Sequence, residues 1–111
     1  MKIVNREQDG VQIIELGGKV MGGPGETELS ETLNGLIEQN ELHVVLDLSE
    51  VKWMDSGGLG ICLGVMTRLR NRGGDLRLVG LPETVRSLMD KCRILSMFRT
   101  FDNVDKAIKS F

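Results

Sequence analysis

The segment Trp53-Met54-Asp55-Ser56-Gly57-Gly58-Leu59-Gly60 brings together the residue types with the most chemical reach in this 111-residue chain. A hydroxyl stands beside a carboxylate, and the glycines that follow leave space for another molecule to approach. The segment falls between an apolar run and a helical pattern, the kind of strand-to-helix junction where open α/β sheets handle ligands and modifications. Two uses of Ser56 compete there. One is a plain helix N-cap, with the hydroxyl accepting a free backbone N–H of the first turn and Asp55 adding charge favourable to the helix dipole; on local sequence alone this is the commoner use. The other is phosphorylation. A phosphoserine carries about -1.5 to -2 charges and three acceptor oxygens, which a helix N-terminus tolerates and a partner surface would register.

A third use, as a nucleophile, fails on its partners. Asp-Ser-Gly-Gly also surrounds the nucleophile of trypsin-like proteases, but a serine nucleophile needs a base held by a third group. The single histidine, His43, falls inside a predicted buried strand, and the chain is too short for a double β-barrel. The G-x-S-x-G elbow is absent too, because Met54 stands two residues before the serine. No catalytic residue is assigned, and the chain is expected not to be an enzyme.

The remaining candidates read as structural. In Gly17-Gly18-Lys19-Val20-Met21-Gly22-Gly23-Pro24-Gly25 the spacing fits neither a P-loop nor G-x-G-x-x-G, so no cofactor is expected. Cys62 and Cys92 fall on apolar helix faces as two small buried hydrophobes. With no CxxC pair and one histidine, neither a metal site nor a disulfide is expected. Arg68, Arg70 and Arg72 suit a helix C-terminus and a solvated surface. Ile61 and Val65 lie one flank off the main apolar face of their helix. They either widen the buried stripe, the commoner case, or form an exposed strip beside Ser56 on which a partner could dock. A net charge of -2 argues against nucleic acid. No run approaches the ~18 apolar residues of a membrane span, and the first ten residues lack the apolar core of a signal peptide. A cytoplasmic location is expected.

These residues need elements to position them. Residues 2–8 and 11–16 predict a strand pair joined by Asp9-Gly10, with Gly17-Gly18 ending the second strand and a loop over 19–25. Leu29, Leu33, Leu36 and Ile37 mark a helix that Asn40 helps to end, with Glu26, Glu28 and Glu31 suited to its start. Residues 42–48 read as a strand buried on both faces. A helix over about 57–71 buries Leu59, Cys62, Leu63, Met66 and Leu69, and Gly73-Gly74 stops it. A strand at 75–80 follows. Pro82 then opens a helix with the stripe Val85, Leu88, Met89 and Cys92. Residues 97–101 predict a short strand, and Asp102 caps a last helix with Val104, Ala107, Ile108 and Phe111 inward. The order β-β-α-β-α-β-α-β-α implies a mostly parallel sheet opened by an antiparallel hairpin, with about four helices packed on it, in one domain over 1–111.

Taken together, Val44-Val45-Leu46-Asp47-Leu48-Ser49, Met54-Asp55-Ser56, Gly58-Leu59-Gly60 and the closing Phe101-Asp102-Asn103-Val104 with Ala107 resemble the STAS domain family, the sulfate-transporter and anti-sigma-factor-antagonist domains. The resemblance spans nearly the whole chain. It implies helices mainly on one face of a single sheet, and a free-standing anti-sigma factor antagonist. In such partner switching the unmodified protein binds an anti-sigma factor that is also an ATP-dependent serine kinase, which frees the sigma factor. The kinase then phosphorylates the serine after the motif aspartate, here Ser56, and a PP2C-type phosphatase reverses the step. The partner-binding set expected from the motif and its surroundings is Asp55, Ser56, Gly57, Gly58, Leu59, Ile61, Val65 and Met21. Two departures stand out. Gly57 replaces the second serine of D-S-S-G, leaving one local hydroxyl, and Met21 replaces an acidic residue common in the loop after the second strand. The alternative is a constitutive STAS scaffold or regulatory subunit never controlled by phosphorylation.

Overall fold

The hairpin follows from its turn. Asp9 and Gly10 both take positive φ, 53° and 78°, the left-handed backbone that a two-residue Asp-Gly connection requires. It joins β1 (Lys2–Gln8) to β2 (Val11–Val20), antiparallel, with Gln8 opposite Val11. The computed structural model describes residues 1–21 and 24–111. Beyond the hairpin, β3 (His43–Met54), β4 (Asp75–Val79) and β5 (Thr100–Phe101) add in parallel, giving one sheet in the order β1-β2-β3-β4-β5. The helices are α1 (Pro24–Glu38), α2 (Ser56–Asn71), α3 (Glu83–Lys91) and α4 (Val104–Lys109).

The period-two alternation of the strands divides the interior. Ile14, Leu16, Val44, Leu46, Leu76 and Leu78 point to one face and pack under α1, α2 and α3 in the main core. Val11, Ile13, Val45 and Val79 point to the other and pack with Ala107 and Ile108 of α4. Three helices therefore cover one face and one covers the other. Each fully buried Leu or Ile contributes roughly 1.5–3 kcal/mol relative to exposure.

The helix ends are specific. Asn40, at φ 62°, turns the chain out of α1, and Glu41 N donates to Leu36 O at 2.9 Å. Gly73, at φ 87°, ends α2, and Gly74 N donates to Leu69 O at 2.8 Å. A Cβ on Gly74 would collide with the Leu42 carbonyl, so the approach to β4 requires glycine. The arginines at this end are exposed, as expected of a solvated surface, and they also brace neighbouring elements. Arg70 Nε donates to Asp75 Oδ1 at 2.8 Å, and Arg72 Nη1 donates to Ile37 O at 2.7 Å. Arg68 Nη2 donates to Asn34 Oδ1 at 2.6 Å, tying α2 to α1.

Several boundaries differ from expectation. Gly17-Gly18 does not end β2. The strand bulges there, with register shifts against β3 and Gly18 at φ 84°, and runs on through Lys19 and Val20. Pro24 and Gly25 belong to α1, not to the preceding loop, while Gly22, Gly23 and the side chain of Glu26 lie outside the described residues. β3 continues six residues past Leu48 to Met54. Pro82 is the N-cap of α3 rather than its first helical residue. The strand expected at 97–101 is a 3-10 turn over Leu95–Met97 followed by two strand residues. Asn103, not Asp102, caps α4, accepting Lys106 N at 2.9 Å. Cys62 is buried as expected, but Cys92 is exposed at the end of α3. His43 is exposed at the start of β3 and stacks on Phe111, ring centroids 4.7 Å apart.

Candidate functional site

The site is built by the unequal lengths of three strands. β4 pairs with β3 only over His43–Asp47, while β2 follows β3 to its end, with Lys19 opposite Trp53 and Val20 opposite Met54. The outer half of β3 therefore projects past β4, carrying the start of α2 at its tip. Asp55 N donates to Val20 O at 3.1 Å, which extends the ladder by one residue before the chain turns into the helix.

Asp55 is the N-cap. Its backbone is extended, and its Oδ1 accepts Gly58 N at 3.0 Å, satisfying one free donor of the first turn. The capping use weighed for Ser56 from sequence thus belongs to its neighbour. Ser56 is instead the first helical residue, its side chain exposed. With the cap supplied by Asp55, the Ser56 hydroxyl is left for other work.

The glycines of the motif split into two kinds. A Cβ on Gly58 would lie 2.9 Å from both Val20 Cγ1 and Val20 O, so glycine is what lets α2 cross the end of β2 so closely. Among the described residues, nothing lies within 4 Å of a Cβ placed on Gly60, and a Cβ on Gly64 would meet Arg68 Nη1 at 3.7 Å. Ser56, Gly60 and Gly64 recur every four residues, so they share one face of α2. The opposite face holds Leu59, Cys62, Val65, Met66 and Leu69, all buried.

This placement corrects the expected surface. Val65 is 0% exposed and sits in the main core, so it widens the buried stripe and cannot form an exposed strip. Gly58 and Leu59 are buried as well, and Ile61 is half-buried against the core. The structure brings Ser56, half-buried Asp55 and Gly57, and Met21 to the same end of the sheet, with Met21 exposed. It also adds residues that sequence reasoning did not assign. Trp53 is 44% exposed beside Ser56, an outward aromatic between buried Val51 and Met54. Across from it, Thr84, Ser87, Leu88 and Lys91 of α3 line the same cleft as Trp53 and Ser56. A large aromatic next to the motif was a readable signal. The α3 residues, 28 to 35 positions further along the chain than Ser56, were not.

The thiol of Cys62 behind this site is pushed up to about 12 by burial. Among the described residues no group of three or more His, Cys, Asp or Glu is placed to hold a metal ion, and no helix is long and apolar enough to cross a membrane.

Comparison with known proteins agrees with this architecture. The chain is 32% identical to BtrV of Bordetella bronchiseptica, provisionally named an anti-sigma factor antagonist, over 100% of this chain and 95% of that protein. It is 24% identical to the anti-sigma F factor antagonist of Paenibacillus polymyxa, over 97% of this chain and 92% of the relative. The solved structure of the Bacillus cell fate determinant SpoIIAA in its phosphorylated form shares the fold, with a TM-score of 0.79 at 20% identity, covering 98% of each chain. The STAS domain model matches residues 2–107, and the chain belongs to the STAS domain family.

Proposed function

We propose that this protein is a cytoplasmic anti-sigma factor antagonist, one STAS domain over 1–111, controlled by phosphorylation of Ser56. The unmodified protein binds an anti-sigma factor of the ATP-dependent serine-kinase type, and the sigma factor is released. In the off-step the kinase transfers the γ-phosphoryl of ATP to Ser56 Oγ. The new O–P bond forms as the bond to ADP breaks, and the hydroxyl proton leaves to a base on the kinase. A PP2C-type phosphatase resets the system. The chain itself needs no catalytic group.

The observation that carries this reading is the exposed Ser56 side chain on the first residue of α2, its capping duty taken by Asp55. Met21 and Trp53, exposed by 41% and 44%, supply apolar contact area at the same end of the sheet. Exposed Gly60, with no side chain, lets a partner come close to the helix backbone beside the hydroxyl. Phosphorylation there places about two negative charges in the contact. A charge left desolvated and unpaired in an interface costs several kcal/mol, enough to exchange one partner for another.

The test is incubation with the cognate kinase and ATP, followed by intact mass. A gain of ~80 Da that is lost in Ser56→Ala supports the reading. No gain in the presence of a kinase active on another antagonist overturns it in favour of a constitutive scaffold.

A further inference from the structure

The cleft beside Ser56 has a composition that partner repulsion alone does not use. Its volume is about 390 Å³, and its far wall is one face of α3. Thr84, Ser87, Leu88 and Lys91 occupy positions i, i+3, i+4 and i+7, so helical geometry aims all four the same way. The near wall is Trp53, Asp55 and Ser56. Lys91 makes no ion pair among the described residues. The hydroxyls of Thr32 and Thr67 donate to the carbonyl four residues back in their own helices, at 2.9 Å each. Those of Thr84 and Ser87 make no hydrogen bond among the described residues. One ammonium and two hydroxyls thus line the same hollow as the proposed phosphorylation site.

We propose that the phosphoryl group on Ser56 folds back into this cleft, with Lys91 as its counter-ion and Thr84 and Ser87 as hydrogen-bond donors. The inference rests on Ser56 being the modified residue. It changes how the switch works. A phosphoryl group held by α3 fills the cleft, so a partner side chain that enters beside Trp53 in the unmodified protein is shut out. Release then comes from occlusion as well as from charge. The phosphate is also partly neutralised within its own molecule, and a phosphatase must draw it away from Lys91 before hydrolysis. Among the described residues lining the cleft, Asp55 and Lys91 are the ionisable ones. They act in opposite directions on a phosphate: the carboxylate disfavours the dianion and the ammonium favours it.

The experiment places phosphoserine at position 56 during translation of the full chain, so no kinase is needed, and follows the phosphorus resonance against pH. The second ionisation of phosphoserine lies near about 6. Lys91→Gln is expected to raise it by roughly half a unit relative to the unsubstituted phosphoprotein, the scale of a partly exposed ion pair. Lys91→Arg is expected to keep the lower value, and Ser87→Ala to move it upward by less than Lys91→Gln does. Comparing variants cancels the fixed contributions of Asp55 and the α2 amides. The same second ionisation with Lys91, Gln or Arg at position 91 overturns the inference, because the phosphate then does not meet the ammonium. Circular dichroism of unmodified Lys91→Gln confirms that the fold is retained. Failure of the kinase assay above would remove Ser56 as a natural target but leave this titration readable. A flat titration would leave the kinase assay untouched.

Discussion

The two faces of α2 are made from similar residues under opposite constraints. On the inner face Gly58 is required, because its missing side chain is the space in which Val20 sits. Leu59, Cys62, Val65 and Met66 continue that packed seam. On the outer face Gly60 borders open space and Gly64 meets only the end of Arg68, at an ordinary contact distance, so no contact among the described residues calls for glycine at either. Glycine inside a helix costs roughly 0.5–1 kcal/mol relative to alanine. The inner glycine is therefore explained by folding. The outer pair weakens the helix without a compensating contact among the described residues, as a surface shaped for a second molecule would.

The largest expected effect lies on the outer face and concerns binding. Ser56→Asp should weaken capture of the anti-sigma factor by about a hundredfold or more while leaving far-UV circular dichroism unchanged. Ser56→Ala should bind and resist the kinase. Equal affinity of the aspartate and wild-type proteins would remove the functional half of the contrast. Next comes the inner face. Gly58→Ala forces a methyl against Val20 O, and denaturant titration should show a loss of about 2 kcal/mol.

A pH effect, modest for each pH unit, tests how tightly the inner face is sealed. The folded state raises the Cys62 thiol from 9.0 to about 12 by burial. Folded protein therefore keeps its proton where the unfolded chain loses it. The stability held in full below pH 9 should fall as the pH rises toward 12, with a slope on the order of 1 kcal/mol per pH unit. Cys62→Ala should remove that part of the slope, and a thiol reagent should label exposed Cys92 long before Cys62. The smallest effect has the opposite sign. Gly60→Ala and Gly64→Ala should each stabilise the protein by roughly 0.5–1 kcal/mol and yet weaken partner binding. Stabilisation with binding unchanged would show that the open face does no work in recognition.

Much of this was readable from residue order. The alternation of period-two and period-3.6 segments predicted the element order and the sheet, since each buried stripe tolerates only one geometry. The Asp-Ser-Gly-Gly junction marked the strand-to-helix turn that carries the candidate site. Boundaries were less readable because local signals have more than one solution. Gly17-Gly18 looks like a strand end, but a strand can also absorb such a pair as a bulge when a partner strand continues alongside. Asp55 and Ser56 are both good caps, and which one served was decided by where β3 stops pairing with Val20. Val65 was ambiguous on a helical wheel, and the sheet beneath α2 placed it inside. Lys91 and Thr84 became neighbours of Ser56 only through the packing of α3.

The projecting half of β3 has a mechanical consequence. Residues 50–54 are laddered to β2 alone, whereas residues 44–47 are clamped from both sides. The serine is thus mounted on a cantilever rooted in a rigid slab. Fewer ladder bonds hold the tip than the root, even though Val51 and Met54 are packed in the main core. Amide deuteration should accordingly spread inward from the tip, arriving at Val51 and Trp53 well before it touches Val44 and Val45.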